Sequence, residues 1–199
     1  MAQWFANSLY MLALINPVSK VFILSMLPEE TEAREVARIS VRSSVIALAI
    51  LIGLAAAGNF ILSNIFQVQL YSLRVAGGLV LLYVGFNALT KGIFFETSEN
   101  QKLFDISVVP LASPLIAGPA TITAAISFSA EYGVGFTCAS LSVAVFTNLL
   151  IMLSARYMGR YLMAHNMMGA LIRITGLIVA TIAVQMVLSG LAAWYHAAR

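Results

Sequence analysis

The sequence predicts an all-α polytopic membrane protein of six transmembrane helices. They are arranged as two inverted three-helix repeats, with helices 1 and 4 broken near the bilayer midplane. Three observations carry this expectation. The 199-residue chain is 61% hydrophobic and only 10% charged, with a mean hydropathy of +0.93; a soluble domain carries about 25% charged residues. The apolar residues fall into runs long enough for bilayer spans, which need about 20 residues each. Two of these runs are interrupted by proline at matching places, Asn16-Pro17 and Ser113-Pro114.

The spans are expected at Trp4 to Leu27, Ile39 to Leu62, Leu70 to Leu89, Val108 to Ser129, Phe136 to Ala155 and Met168 to Leu191. The connection from Met158 to Met167 carries Arg160 and His165. The N-terminal Met1-Ala2-Gln3-Trp4 lacks the basic region of a secretory signal, so the first apolar stretch is expected to stay as a span. Cations mark the odd-numbered connections: Arg34, Arg38 and Arg42 at the first, Lys91 and Lys102 at the third, Arg156 and Arg160 at the fifth. The second and fourth have neither Lys nor Arg, so the odd connections are expected in the cytoplasm and both termini outside. The implied location is a bacterial or archaeal inner membrane. A net charge of +3, without a basic stripe, argues against nucleic acid.

The repeat is visible in short stretches. Leu73-Arg74-Val75-Ala76-Gly77 and Ile172-Arg173-Ile174-Thr175-Gly176 share a pattern at an offset of 99 residues, and Pro17 and Pro114 are offset by 97. One unit of three spans, from about residue 1 to 92, then recurs from about 108 to 199 after a polar connection. Because three is odd, the second copy must lie upside down, as in many secondary transporters.

Each break has a local cause. Proline removes a helix hydrogen bond and clashes with the preceding turn, but is favoured at a first helical position. Asn and Ser are good N-caps. Asn16-Pro17 and Ser113-Pro114 therefore each predict a new half-helix starting inside the membrane, and Gly118-Pro119 adds a second interruption that lets a ligand approach the backbone. A half-helix N-terminus offers free N–H groups and a partial positive charge to a carboxylate. The carbonyl end of the preceding half-helix suits an ammonium or another cation. Together they suit a small zwitterionic solute.

These residues resemble a known family. Asn16-Pro17, together with Pro110-Leu111-Ala112-Ser113-Pro114-Leu115-Ile116-Ala117-Gly118-Pro119 and the stretch Arg74 to Gly78, are similar to the signatures of the MarC family, which includes SnatA-type transporters of small neutral amino acids. The resemblance spans the whole chain. It implies alternating-access transport of glycine, alanine, serine or threonine, with Asn16, Pro17, Ser19, Ser113, Pro114, Ala117, Gly118, Pro119 and Thr121 at the binding site. A passive pore or an exporter of other small solutes is the alternative. The chain departs from the family pattern at Ser19 and Ala120, where the family usually has glycine, and at Phe22, where it often has proline.

All eight acidic residues lie outside the expected spans or at their edges, and His165 and His196 are peripheral. With no carboxylate or imidazole inside the membrane, coupling to Na⁺ or H⁺ stays open, as does a homo-oligomeric state. No resident cofactor or metal is expected. Arg74 and Arg173 sit about one turn inside a span; each either snorkels to the headgroups or serves as a gate. Gly53 and Ala57 are expected to form a small-residue contact between helices. Cys138 has no partner for an intrachain disulfide, and no enzyme motif is present, so catalysis is not expected.

Overall fold

A computed structural model of the chain describes residues 2–25, 27, 31–94, 112 and 116–199, and those residues are helical throughout their ordered elements. The first span is two helices. α1 (Ala2–Ile15) and α2 (Pro17–Ser25) are separated by Asn16, whose φ is +55°. Asn reaches this left-handed conformation more readily than other side-chain-bearing residues. The break is thus made at Asn16 by a left-handed turn, and not by the extended backbone of an ordinary N-cap. Pro17, with no N–H and a fixed φ, opens the new helix.

α3 (Ala33–Phe60) continues into a π-helical turn, Ile61–Ile65. Its 28 residues extend roughly 42 Å at 1.5 Å per residue, well beyond a bilayer core of about 30 Å. The helix accordingly starts before the expected Ile39, because the exposed turn carrying Arg34, Glu35 and Arg38 stays helical in water. α4 (Leu70–Lys91) ends at Gly92, in the left-handed conformation usual for a helix stop. α5 (Pro119–Tyr132) begins after the extended Gly118. Gly133, at φ +88°, turns the chain directly into α6 (Val134–Leu153).

The fifth connection differs from expectation. Residues 155–164, expected in the last turn of a span and a loop, form α7 (Ala155–Ala164). This amphipathic helix packs on α2, where Gly159 sits against Ser25. It is too short to span and too polar to bury, so only its docking face, Ala155 and Gly159, is covered. α8 (Met168–Ala197) completes the chain, running past the expected Leu191.

Among the described residues, five helical segments are long and apolar enough to cross a membrane: Gln3–Ser25, Ala33–Ile65, Leu70–Lys91, Val134–Leu153 and Met168–Ala197. Of the remaining expected span, Val108 to Ser129, only Ala112 and residues from 116 onward are described. Large apolar side chains such as Val45, Phe86, Phe146, Leu177 and Leu188 face outward, as lipid-solvated helices require.

α4 and α8 pack along their lengths. A Cβ on Gly78 would lie 2.9 Å from the Ala183 carbonyl oxygen, one on Gly85 2.9 Å from that of Gly176, and one on Gly190 2.9 Å from that of Tyr71. As the α4 number rises the α8 number falls, so the two helices are antiparallel. Small residues let backbones touch where lipid supplies no hydrophobic drive between helices. Gly53 does not take part in such a contact: it and Ala57 are exposed, and nothing lies within 4 Å of a Cβ built on Gly53. α3 instead packs on α5 and α6 through its other face, with Gly58 against Ile126 and Ser129 Oγ donating to the Ala55 carbonyl.

Candidate functional site

The two chain breaks meet at one small cavity of about 40 Å³. Asn16, Ser19 and Lys20 line it from the first break, and Gly118, Pro119, Ala120 and Thr121 from the second; α4 adds Val80, Leu81 and Val84, and α8 adds Val179. One water needs about 10–15 Å³ of such space, so the cavity suits a few waters or a very small solute. Its walls are buried except at Val80 and Pro119, which are exposed, and Val84, which is half-buried.

Each polar group is set in place by its element. Asn16 N–H donates to Leu12 O at 2.9 Å and closes α1. Ser19 donates twice to Asn16 O, from its N–H at 3.2 Å and its Oγ at 2.7 Å. At the second break, Ile122 N–H bonds Gly118 O at 2.8 Å. The N–H groups of Ala120 and Thr121 lie in the first turn of α5, the end at which a helix leaves its own N–H groups without intrahelical partners.

Of the residues expected to form a site, Asn16, Ser19, Gly118, Pro119 and Thr121 line this cavity, and Pro17 and Ala117 adjoin it in sequence without lining it. Ser113 and Pro114 lie outside the described residues. At the carbonyl end of α1 the structure places a side chain of the chain itself. Lys20, one turn into α2, reaches back with its Nζ to the Ile15 carbonyl, to Asn16 O at 3.4 Å and to Ser19 Oγ at 3.2 Å. A lysine Nζ is therefore already seated at that end of the helix. Lys20 is only 1% exposed.

Sequence reasoning passed over Lys20. The signal was available: a lone charged residue inside an apolar span is by default a functional candidate. Phe94, just beyond the end of α4, also lines the cavity and is buried; no pattern in its loop pointed to that.

A second, more polar cavity of about 180 Å³ lies further along α5, lined by Tyr10, Arg74, Thr123, Ser127, Glu131 and Gln185 among others. Arg74 Nε donates to Ser127 Oγ at 3.1 Å, and its Nη2 lies 3.7 Å from Glu131 Oε2. Arg74 thus spans from α4 to α5 at this end of the bundle. Arg173, its counterpart in the sequence repeat, is exposed on α8. An aromatic run, Tyr10–Phe128–Tyr132–Phe136 with centroids 5.6, 5.6 and 5.8 Å apart, links α1, α5 and α6 here. At the opposite end Arg156 donates to the Thr31 carbonyl, joining the first and fifth connections.

A bundle of lipid-facing helices around a buried, partly polar cavity defines an integral membrane protein. The chain belongs to the MarC family of integral membrane proteins, whose sequence profile matches residues 1–195. It is similar to the UPF0056 membrane protein PH0214 of Pyrococcus horikoshii, 35% identical over 93% of this chain and 91% of that one. It is also similar to the UPF0056 membrane protein YvbG of Bacillus subtilis, 31% identical over 90% and 89%, and to MJ1677 of Methanocaldococcus jannaschii, 29% identical over 90% and 91%. No solved structure matches the chain.

Proposed function

We propose that the chain is a secondary transporter of small neutral amino acids, of the glycine, alanine, serine or threonine class, working by alternating access, and that it is not an enzyme. The observation that carries this reading is the meeting of Asn16 and Ser19 with Gly118 and Thr121 in one buried cavity. Two interrupted helices that meet at one point, with exposed N–H groups on one side and carbonyls on the other, are the usual construction of a transporter binding site. The antiparallel pairing of α4 with α8 supports two inverted three-helix repeats, since upside-down copies bring their third helices together in opposite directions. Arg74, bridging Ser127 and Glu131, then closes the outer end of the path along α5.

The test is counterflow in proteoliposomes: trapped unlabelled alanine should drive transient accumulation of labelled alanine. Uptake should saturate and be inhibited by glycine, serine and threonine. Lysine and arginine should not compete, because none of the described residues lining the smaller cavity is Asp or Glu and Lys20 already supplies a cation. Linear, non-saturating flux without counterflow would identify a passive pore instead. Competition by lysine as strong as by glycine would remove the electrostatic basis of the proposal.

A further inference from the structure

We infer that Lys20 stands in for the ammonium of the solute, and that binding exchanges one ammonium for the other at the carbonyls of Ile15 and Asn16. This rests on the reading of the cavity as a solute site. The left-handed turn at Asn16 ends α1 and leaves its last carbonyls without continuing helix. Such a carbonyl end attracts a cation, and Lys20 Nζ occupies it, bonding Ile15 O, Asn16 O and Ser19 Oγ from within the cavity wall. A second ammonium entering beside it would place two like charges in a buried space with no Asp or Glu among the described lining residues.

A zwitterion avoids that conflict. Its carboxylate takes the Lys20 ammonium and the N–H groups of Ala120 and Thr121, and its own ammonium takes the carbonyls that Lys20 leaves. The net charge of the cavity is the same before and after, and each charge that the solute brings meets a partner. Lys20 is suited to the movement, because its ammonium is a compact charge on a flexible four-carbon stem. The exchange makes the site specific for molecules that carry both groups on one small frame. An amine without a carboxylate has nothing to offer the displaced Lys20.

The test measures calorimetric binding of alanine, ethylamine and propionate to the full-length chain purified in detergent, for the natural sequence, Lys20→Arg and Lys20→Met. The natural protein should bind alanine at least about a hundredfold more tightly than ethylamine. Lys20→Met should weaken alanine about tenfold and gain measurable ethylamine binding, because the Ile15 carbonyl then has no ammonium on it. Lys20→Arg keeps the charge and should still reject ethylamine. Alanine and ethylamine affinities in Lys20→Met within twofold of the natural protein would overturn the exchange. If Lys20→Met does not fold, comparable affinity of the natural protein for alanine and ethylamine would overturn it equally. Gain of ethylamine binding in Lys20→Met, with no amino acid bound by the natural protein, would keep the Lys20 exchange and reject the amino acid reading.

Discussion

Thr123 Oγ1 lies where a side chain on Gly77 would have to go: it is the nearest atom to a Cβ built there, inside any normal contact distance. The hydroxyl is held in place, donating to Pro119 O at 2.7 Å. This contact of α4 with α5 falls between the two cavities. Arg74 and Thr123 line the larger one, Val80 and Thr121 the smaller one. Gly77→Ala should therefore push α4 away from α5 and cost about 1–3 kcal/mol, as overpacking does. Thr123→Ala added to it should recover part of the loss, since the clashing oxygen is gone while the threonine Cβ, 3.2 Å away, stays. Thermal unfolding of the single and double variants in detergent measures the coupling. Strictly additive losses would show that the two residues do not press on each other.

Gly118 has φ −86° and ψ 170°, a conformation open to any residue. Gly118→Leu should therefore leave the backbone unstrained, but its four-carbon side chain competes for a cavity of about 40 Å³. Transport of alanine should fall at least about tenfold, a barrier increase of about 1.4 kcal/mol, while membrane insertion and melting temperature change little. Normal uptake by the inserted variant would place the solute path elsewhere.

The ion pair between Arg74 and Glu131 has partly exposed partners, so its worth as stability is under about 1 kcal/mol. Its expected effect is on access. With Cys138→Ala as background, a cysteine replacing Thr121 should react slowly with a membrane-impermeant thiol reagent added outside. Adding Arg74→Gln should speed that labelling several-fold while the melting temperature barely moves. Equal labelling rates with and without Arg74→Gln would mean that the bridge does not close this end.

The connections bearing Arg34, Lys91 and Arg156 are expected in the cytoplasm, with both termini outside. A C-terminal alkaline phosphatase fusion should be active, and a fluorescent protein that matures only in the cytoplasm should stay dark at the same position. The reverse pair of results would turn the molecule over and exchange the inner and outer assignments of Arg74 and Lys91.

Much of this molecule is written locally. Proline and glycine act on their own backbone, so Asn16-Pro17 announces a helix start and Gly118-Pro119 an interruption wherever they sit, and α2 and α5 begin at Pro17 and Pro119. A run of apolar residues likewise declares itself membrane-soluble without reference to its neighbours. Sequence alone accordingly determined the membrane class, the break in the first span and five of the segments able to cross a bilayer. Contacts between distant residues were decided only by the tertiary structure. Gly53 and Gly85 are chemically identical, yet Gly85 presses on Gly176 and Gly53 meets nothing, because helix rotation about the bundle decides which face is covered. Helix α7 stays on the bundle because Gly159 finds Ser25, a fit that its own ten residues do not encode. Lys20 shows the same division: its charge inside an apolar span was legible, but the left-handed turn at Asn16 is what brings its ammonium back onto the carbonyl end of α1 and into the space shared with Gly118.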